Sequence, residues 1–254
     1  MNQYLERFRA DGKVAIVTGA SSGLGLGFAL AIGSVGASVV VAARREKRLD
    51  ELCGVLNSEG IAAHPVVMDV TGPDQCKELV RATVDRFGSL DILINNAGLG
   101  GSMPSHKESP DHFRNIVDVN LMGTYWMAQA AADVMAPGSA IVNIASLHGV
   151  TASRFPSAAY SASKAGVLGL TRDLASQWSR RRGIRVNALC PGYVETEMTG
   201  ESMGPLSEMV EQNSIFGRFG RQDEMDSALI FLATEASSYM TGSTLMVDGG
   251  YSVV

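Results

Sequence analysis

Thr18-Gly19-Ala20-Ser21-Ser22-Gly23-Leu24-Gly25 follows the apolar run Val14-Ala15-Ile16-Val17 and opens a helical pattern. A glycine-patterned turn between a strand and a helix presents backbone N–H groups and a helix N-terminus, the parts that hold a phosphate. Its spacing, Gly19-x3-Gly23-x-Gly25, differs from the commoner G-x-G-x-x-G. Glycine turns also serve plain strand-to-helix packing, so the reading rests on what surrounds this one.

Outward from the turn, short apolar runs alternate with longer helical patterns. The expected strands are Val14–Thr18, Ser38–Ala43, Ala63–Met68, Asp91–Asn95, Ala140–Ala145, Arg185–Cys190 and Thr244–Val247. Several are almost wholly apolar, as strands buried on both faces of a parallel sheet must be. Helices are expected near 24–35, 46–58, 73–87, 111–135, 157–181 and 223–233, with Pro73 at a helix start. This order predicts an α/β fold: a doubly wound, seven-stranded parallel sheet with helices on both faces. No repeat or linker interrupts residues 1–254, which are read as a single dinucleotide-binding domain. The segment 192–220, with Met198, Met203, Met209, Phe216 and Phe219, breaks the rhythm after a strand end, where ligands bind in such sheets. It is expected to be a substrate lid; a flap packed on the core or on a neighbouring subunit is the plainer alternative.

The second strand ends Val41-Ala42-Ala43 and runs into Arg44 and Arg45. A carboxylate about 20 residues past the glycines usually accepts from the ribose 2′-hydroxyl. Here guanidinium groups stand instead, and their planar fork suits a phosphate. NADP is therefore the expected cofactor, with NAD the alternative. Asp69, ending the third strand, is an acceptor for an adenine amino group, and Gly98 lets backbone approach a cofactor closely. Asn95 and Asn96 could equally tie loop backbone in place.

Farther along, Tyr160 and Lys164 lie four residues apart, on one helix face. A nearby ammonium favours the ionised phenol and brings it towards acid–base use. Composition sets the limits: 254 residues, 46 % apolar and 19 % charged, with a formal charge of −5 that argues against a nucleic-acid surface. Arg180-Arg181-Arg182 reads as a helix C-terminus. Cys53, Cys76 and Cys190 are too few and too scattered for disulfides or zinc. No apolar stretch approaches a membrane span and the first residues carry no signal-peptide pattern, so a cytoplasmic protein is expected.

These residues together resemble the short-chain dehydrogenase/reductase superfamily over nearly the whole chain. The family's T-G-x-x-x-G-x-G matches Thr18 to Gly25, with Leu24 where Ile is common. N-N-A-G matches Asn95 to Gly98, Y-x-x-x-K matches Tyr160 to Lys164, and P-G-x-x-x-T matches Pro191, Gly192 and Thr196. The active-site Ser falls on Ser146 and the helix-borne Asn on Asn120. The resemblance implies Tyr160 as general acid for carbonyl reduction and base for alcohol oxidation. It implies that Lys164 binds the nicotinamide ribose and lowers the Tyr160 pKa, that Ser146 bonds the substrate oxygen, and that Asn120 supports a water beside Lys164. The implied cofactor site spans Gly19, Ser21, Ser22, Gly23, Leu24, Gly25, Arg44, Arg45, Asp69 and Val70. It continues through Asn96, Ala97, Gly98, Tyr160, Lys164, Pro191, Gly192, Val194 and Thr196.

Two positions depart from the pattern. Ser22 stands where many NADP-preferring members carry Lys or Arg, so NADP rests on Arg44 and Arg45. Ala145 replaces a Ser that often precedes the active-site Ser. For substrate, Ser146, His148 and Tyr160 are expected contacts, with Leu99, Met103, Phe155, Tyr193 and Met198 making the pocket partly apolar and Arg154 available to an anion. The expected activity is hydride transfer between NADP(H) and a small carbonyl or secondary alcohol. The alternatives are an NAD-dependent alcohol, polyol or gluconate dehydrogenase, a non-turnover redox sensor, and a sugar-nucleotide epimerase, which 254 residues hardly accommodate. The family usually forms homotetramers or dimers, and the small-residue runs Met127–Ala132 and Ala165–Leu170 suit an interface or a core.

Overall fold

The computed structural model describes residues 2–195 and 203–254, of which 203–205 by backbone alone. Thr196, Met198 and part of the expected lid lie outside the described residues, and nothing is said of the Met203 side chain. The strands are β1 (Val14–Thr18), β2 (Ser38–Ala43), β3 (Ala63–Val67), β4 (Ile92–Asn95), β5 (Ala140–Ile144), β6 (Arg185–Pro191) and β7 (Thr244–Val247). They form one sheet in the order β3-β2-β1-β4-β5-β6-β7, with parallel pairing throughout. Chain direction across the sheet reverses at β1, which pairs with β2 on one side and β4 on the other: Ile16 stands opposite both Val40 and Leu93. A crevice opens at such a reversal, beyond the strands' C-terminal ends.

The helices are α1 (Gln3–Glu6), α2 (Gly23–Ser34), α3 (Glu46–Ser58), α4 (Pro73–Phe87), α5 (Pro110–Val117), α6 (Gly123–Ala132), α7 (Ala158–Arg182), α8 (Met203–Asn213) and α9 (Gln222–Ala233). Side chains alternate across the sheet, as a period of two requires. Ala15, Val17, Val39, Val41, Ile92 and Ile94 pack with Phe28 of α2, Leu49 of α3 and Leu229 of α9. Ile16, Val40, Leu93 and Ile141 pack with Leu79 of α4, Met127 of α6 and Leu174 of α7. Burial on both faces is why these strands read as unbroken apolar runs.

Boundaries differ from expectation by single residues where ladder hydrogen bonds outlast the strand. Met68 N–H still donates to Ala43 (3.0 Å), Ala145 N–H to Leu189 (2.8 Å) and Asp91 N–H to Val14 (3.0 Å). The larger difference lies in the expected helix 111–135. Its rod runs from Pro110 to Ala132 but widens to a π-helical turn at Asp118–Met122, where Gly123 N–H reaches back to the Asp118 carbonyl. The Thr124 hydroxyl takes up the Asn120 carbonyl (2.8 Å) beside that turn. The run Met127–Ala132 belongs to the core apart from the exposed Gln129. α7 ends in Arg180, Arg181 and Arg182 and is closed by Gly183 at φ +68°, so the cations oppose the carbonyl end of the helix. Pro73 is the first residue of α4, as the sequence predicts.

Candidate active site

The crevice is a cleft of about 1180 Å³. It runs from the glycine turn and Arg44, past Asn96 to Gly98, to Ser146, Tyr160 and Lys164, and ends at Pro191 to Val194 and Leu206 of α8. Of the expected cofactor residues it is lined by Gly19, Ser21, Ser22, Gly23, Leu24, Arg44, Arg45, Asp69, Val70, Asn96, Ala97, Gly98, Tyr160, Lys164, Pro191, Gly192 and Val194.

Gly25 does not line the cleft, because its role is packing: a Cβ there would come within 2.4 Å of Asn96 Nδ2 and of the Gly19 carbonyl. Gly19 (φ +65°) and Gly23 (φ +55°) hold left-handed backbone that a side chain would strain. Asn96 locks the turn: its amide donates to the Thr18 carbonyl (3.0 Å) and the Gly19 carbonyl (3.2 Å). Ser22, the N-cap of α2, makes no side-chain cap bond. First-turn N–H groups of α2 therefore remain for an anion.

At this end Arg45 folds over the turn. Its Nη2 donates to Ser22 Oγ (2.5 Å) and Ser21 Oγ (2.9 Å), and its Nε to Ser21 Oγ (3.1 Å). A guanidinium thus stands where Ser22 itself brings no charge. Arg44 lies more loosely, 3.8 Å from Asp69 Oδ2 and two-thirds exposed. An exposed pair at that distance contributes little stability and leaves Arg44 free to bind elsewhere. Asp69 Oδ1 accepts from Thr71 N–H (3.0 Å) and the Thr71 hydroxyl (2.8 Å). The cleft's length, donor-rich turn and paired guanidinium groups fit a dinucleotide.

At the other end, α7 carries Tyr160 and Lys164, and β5 delivers Ser146. The Ser146 hydroxyl stands beside the Tyr160 phenol in the cleft and accepts His148 N–H (3.2 Å). Lys164 is buried, its Nζ donates to the Ile144 carbonyl (2.7 Å) and lies 5.8 Å from the Tyr160 ring centre. Burial raises the phenol, opposed by the Ser146 hydrogen bond, while Lys164 is itself pushed down by burial to about 8. The ammonium makes its short bond to a carbonyl, and burial disfavours its charged form.

A buried cation with one carbonyl partner costs stability. Because its folded pKa lies below its unfolded value near 10.5, the unfolded chain binds the extra proton between them. The penalty is therefore complete below about pH 8 and disappears as pH rises towards the unfolded value. Lys164→Met is expected to raise the Tm of the cofactor-free protein at pH 7 and to lose that advantage by about pH 10. Thermal unfolding of both proteins at the two pH values checks it; a less stable variant at pH 7 would mean that Lys164 contributes net stability.

Asn120 is fully buried and does not line the cleft. Its Oδ1 accepts Leu99 N–H (2.7 Å), and its Nδ2 donates to the Leu99 carbonyl (3.0 Å) and Ser163 Oγ (3.0 Å). Since the Ser163 hydroxyl donates to the Tyr160 carbonyl (2.7 Å), Asn120 braces the loop after β4 against the Tyr160 turn. Its side chain also lies behind Gly98, on the flank shared with Lys164 Nζ. Arg154 and Met103 do not line the cleft, whereas Leu99, Phe155 and Tyr193 do. Sequence reading missed Ser153 and Leu206 as lining residues, along with a buried ladder behind the site. In that ladder Asn95 Nδ2 donates to Asn143 Oδ1 (2.9 Å), and Asn143 Nδ2 to Thr171 Oγ1 (2.9 Å). No metal-binding group of acids, histidines or cysteines occurs among the described residues, nor does a helix long and apolar enough to cross a membrane.

The sequence pattern of a family described as enoyl-(acyl carrier protein) reductase matches residues 19–252. The chain belongs to the short-chain dehydrogenase/reductase superfamily. It is 35 % identical to the 3-oxoacyl-[acyl-carrier-protein] reductase FabG of Thermotoga maritima over 246 residues, 95 % of this chain and 98 % of that protein. It is 36 % identical to the gluconate 5-dehydrogenase of Gluconobacter oxydans over 250 residues, 97 % of each. Among solved structures, a gluconate 5-dehydrogenase from Burkholderia cenocepacia in complex with NADP and tartrate superposes with a TM-score of 0.92 at 35 % identity, covering 98 % of this chain and 99 % of that one. As a short-chain dehydrogenase/reductase, the protein is an oxidoreductase of a family that binds a nicotinamide cofactor.

Proposed function

We propose that the protein transfers hydride between NADP(H) and a small carbonyl/secondary-alcohol pair, with Tyr160 as the acid and base. The observation that carries this reading is the cluster of the Tyr160 phenol, the Ser146 hydroxyl and the Lys164 ammonium at one end of the cleft. Bound in that cleft, reduced nicotinamide supplies the hydride. Ser146 donates a hydrogen bond to the substrate oxygen, where charge develops. Tyr160 gives its proton to the same oxygen in reduction and takes it back in oxidation. Lys164, whose ammonium keeps two further donors beside its bond to Ile144, would hold the nicotinamide ribose.

NADP is preferred over NAD in this reading because Arg44 and Arg45 flank the turn and no carboxylate ends β2. The NADP complex of the 35 % identical relative supports it. The segment 192–220 acts as a lid over the substrate, with Leu206 on the cleft wall. The protein is cytoplasmic and assembles as a homotetramer, which sedimentation at micromolar concentration checks.

NADPH and NADH oxidation at 340 nm against ketones, 3-oxoacyl thioesters and keto-sugars tests the reading. Turnover of one class with NADPH is the expected result. Tight NADPH binding with no turnover anywhere in the panel would favour a redox sensor instead.

A further inference from the structure

His148 and Tyr193 form a hydrogen-bonded pair beside Tyr160 that hydride transfer does not use. His148 Nε2 and the Tyr193 hydroxyl are 3.0 Å apart, across 45 positions of sequence. The imidazole stands edge-on to both phenols, 6.0 Å from the Tyr160 ring and 5.6 Å from the Tyr193 ring. Both residues line the cleft together with Ser153.

The pair is held in place. His148 N–H is bonded to Ser146 Oγ (3.2 Å). Gly149 presses on α7 so closely that a Cβ there would come within 2.9 Å of the Lys164 backbone. Tyr193 rests 5.4 Å from the ring of the buried Tyr251. Tyr251 in turn donates to Met209 Sδ (3.8 Å) on α8. Polar groups already fixed in a cleft bind a ligand without the further cost of ordering them.

What they can satisfy follows from their protons. Burial holds the imidazole below its ordinary pKa, so it is neutral at pH 7, with one donor and one acceptor nitrogen. Nδ1 makes no hydrogen bond among the described residues. If the Tyr193 hydroxyl donates to Nε2, Nδ1 carries the proton and offers a donor. If Nε2 donates to Tyr193, Nδ1 offers an acceptor and the phenol keeps a proton to give. A hydroxyl group fits either arrangement because it both donates and accepts. A methylene group fits neither.

Position completes the argument. Oxygens on adjacent carbons sit about as far apart as hydrogen-bonded atoms, about 3 Å. The imidazole, its ring 6.0 Å from the Tyr160 ring on the same cleft wall, is the polar group beside the place where a substrate oxygen would meet the Tyr160 hydroxyl. We propose that the His148–Tyr193 pair binds a second hydroxyl, on the carbon next to the reacting one, so that the substrates are vicinal diols and their α-hydroxy ketones. The inference rests on the carbonyl/alcohol reading of the same cleft. A 3-oxoacyl thioester, with methylene carbon beside its ketone, offers the pair no such hydroxyl.

The test compares NADP⁺-dependent oxidation of 2,3-butanediol (mixed stereoisomers) with that of 2-butanol, in the wild type and in His148→Leu and Tyr193→Phe. NADPH oxidation with a 3-oxoacyl thioester is run alongside. A site built to bond a hydroxyl rejects the analogue lacking it, so kcat/KM for the diol is expected to exceed that for 2-butanol by about a hundredfold or more. Both substitutions are expected to lower that ratio at least about tenfold, chiefly through KM for the diol. No diol preference in the wild type, or a ratio unchanged in both variants, overturns the proposal. The wild-type preference needs no variant, so a substitution that misfolds leaves the test decisive. Thioester turnover without diol preference overturns this inference alone; absence of turnover with every carbonyl and alcohol overturns the functional reading with it.

Discussion

Tyr160→Phe is expected to keep NADPH affinity within a few-fold and to lower kcat by about a thousandfold or more. The phenol is the one group in the cluster that can both touch a substrate oxygen and carry a proton to it. Ser146 hydrogen-bonds that oxygen without giving up its proton, and Lys164 is bound to the Ile144 carbonyl and lies deeper. Phe keeps the ring, its edge contact with His148 and the packing of α7, so structural damage is small. Because burial raises the phenol's pKa, Tyr160 is protonated at neutral pH, which is the form reduction needs. Alcohol oxidation needs the other form, so its rate is expected to climb as pH rises through the phenol's range. Steady-state rates and fluorescence titration of NADPH, measured on the variant, separate the two effects. A variant within a few-fold of wild type would remove Tyr160 from the chemistry.

Arg44→Asp is expected to lower the NADP/NAD ratio of kcat/KM by about a hundredfold. The change removes a guanidinium that only an exposed, 3.8 Å contact to Asp69 holds. It adds a carboxylate that repels a 2′-phosphate and accepts from a ribose 2′-hydroxyl. Arg45 acts differently, since its hydrogen bonds already fasten Ser21 and Ser22. Arg45→Ala is expected to lower the ratio less and to weaken both cofactors by loosening the turn. Initial rates with each cofactor at fixed substrate measure this. An unchanged ratio in Arg44→Asp would move the 2′-phosphate contact elsewhere.

The sheet was legible because β1, β2, β4 and β6 are buried on both faces, which forces apolar runs that no other arrangement demands. The reacting end was legible because Tyr160 and Lys164 share one helix, where spacing alone fixes which face they take. Features built from side chains far apart in sequence were not. Arg45 reaches Ser22 across the whole of α2 and β2. The π-helical turn at Asn120 leaves no mark on apolar periodicity, nor do the bonds by which Asn120 braces Leu99 and Ser163. Residue type alone could not divide the two adjacent asparagines. Asn96 ties the glycine turn, while Asn95 points inward to Asn143. The Lys164 pKa depends on depth, which the sequence does not state.

In the proposed reaction hydride passes directly from NADPH to a carbonyl carbon in this cleft. The test uses NADPH carrying deuterium at both hydrogens of nicotinamide C4, with the ketone that turns over fastest, and mass spectrometry of the alcohol formed. One deuterium on the carbinol carbon, absent when Tyr160→Phe replaces the wild type, is the expected result. Alcohol formed without deuterium, or labelled equally by both proteins, would contradict it.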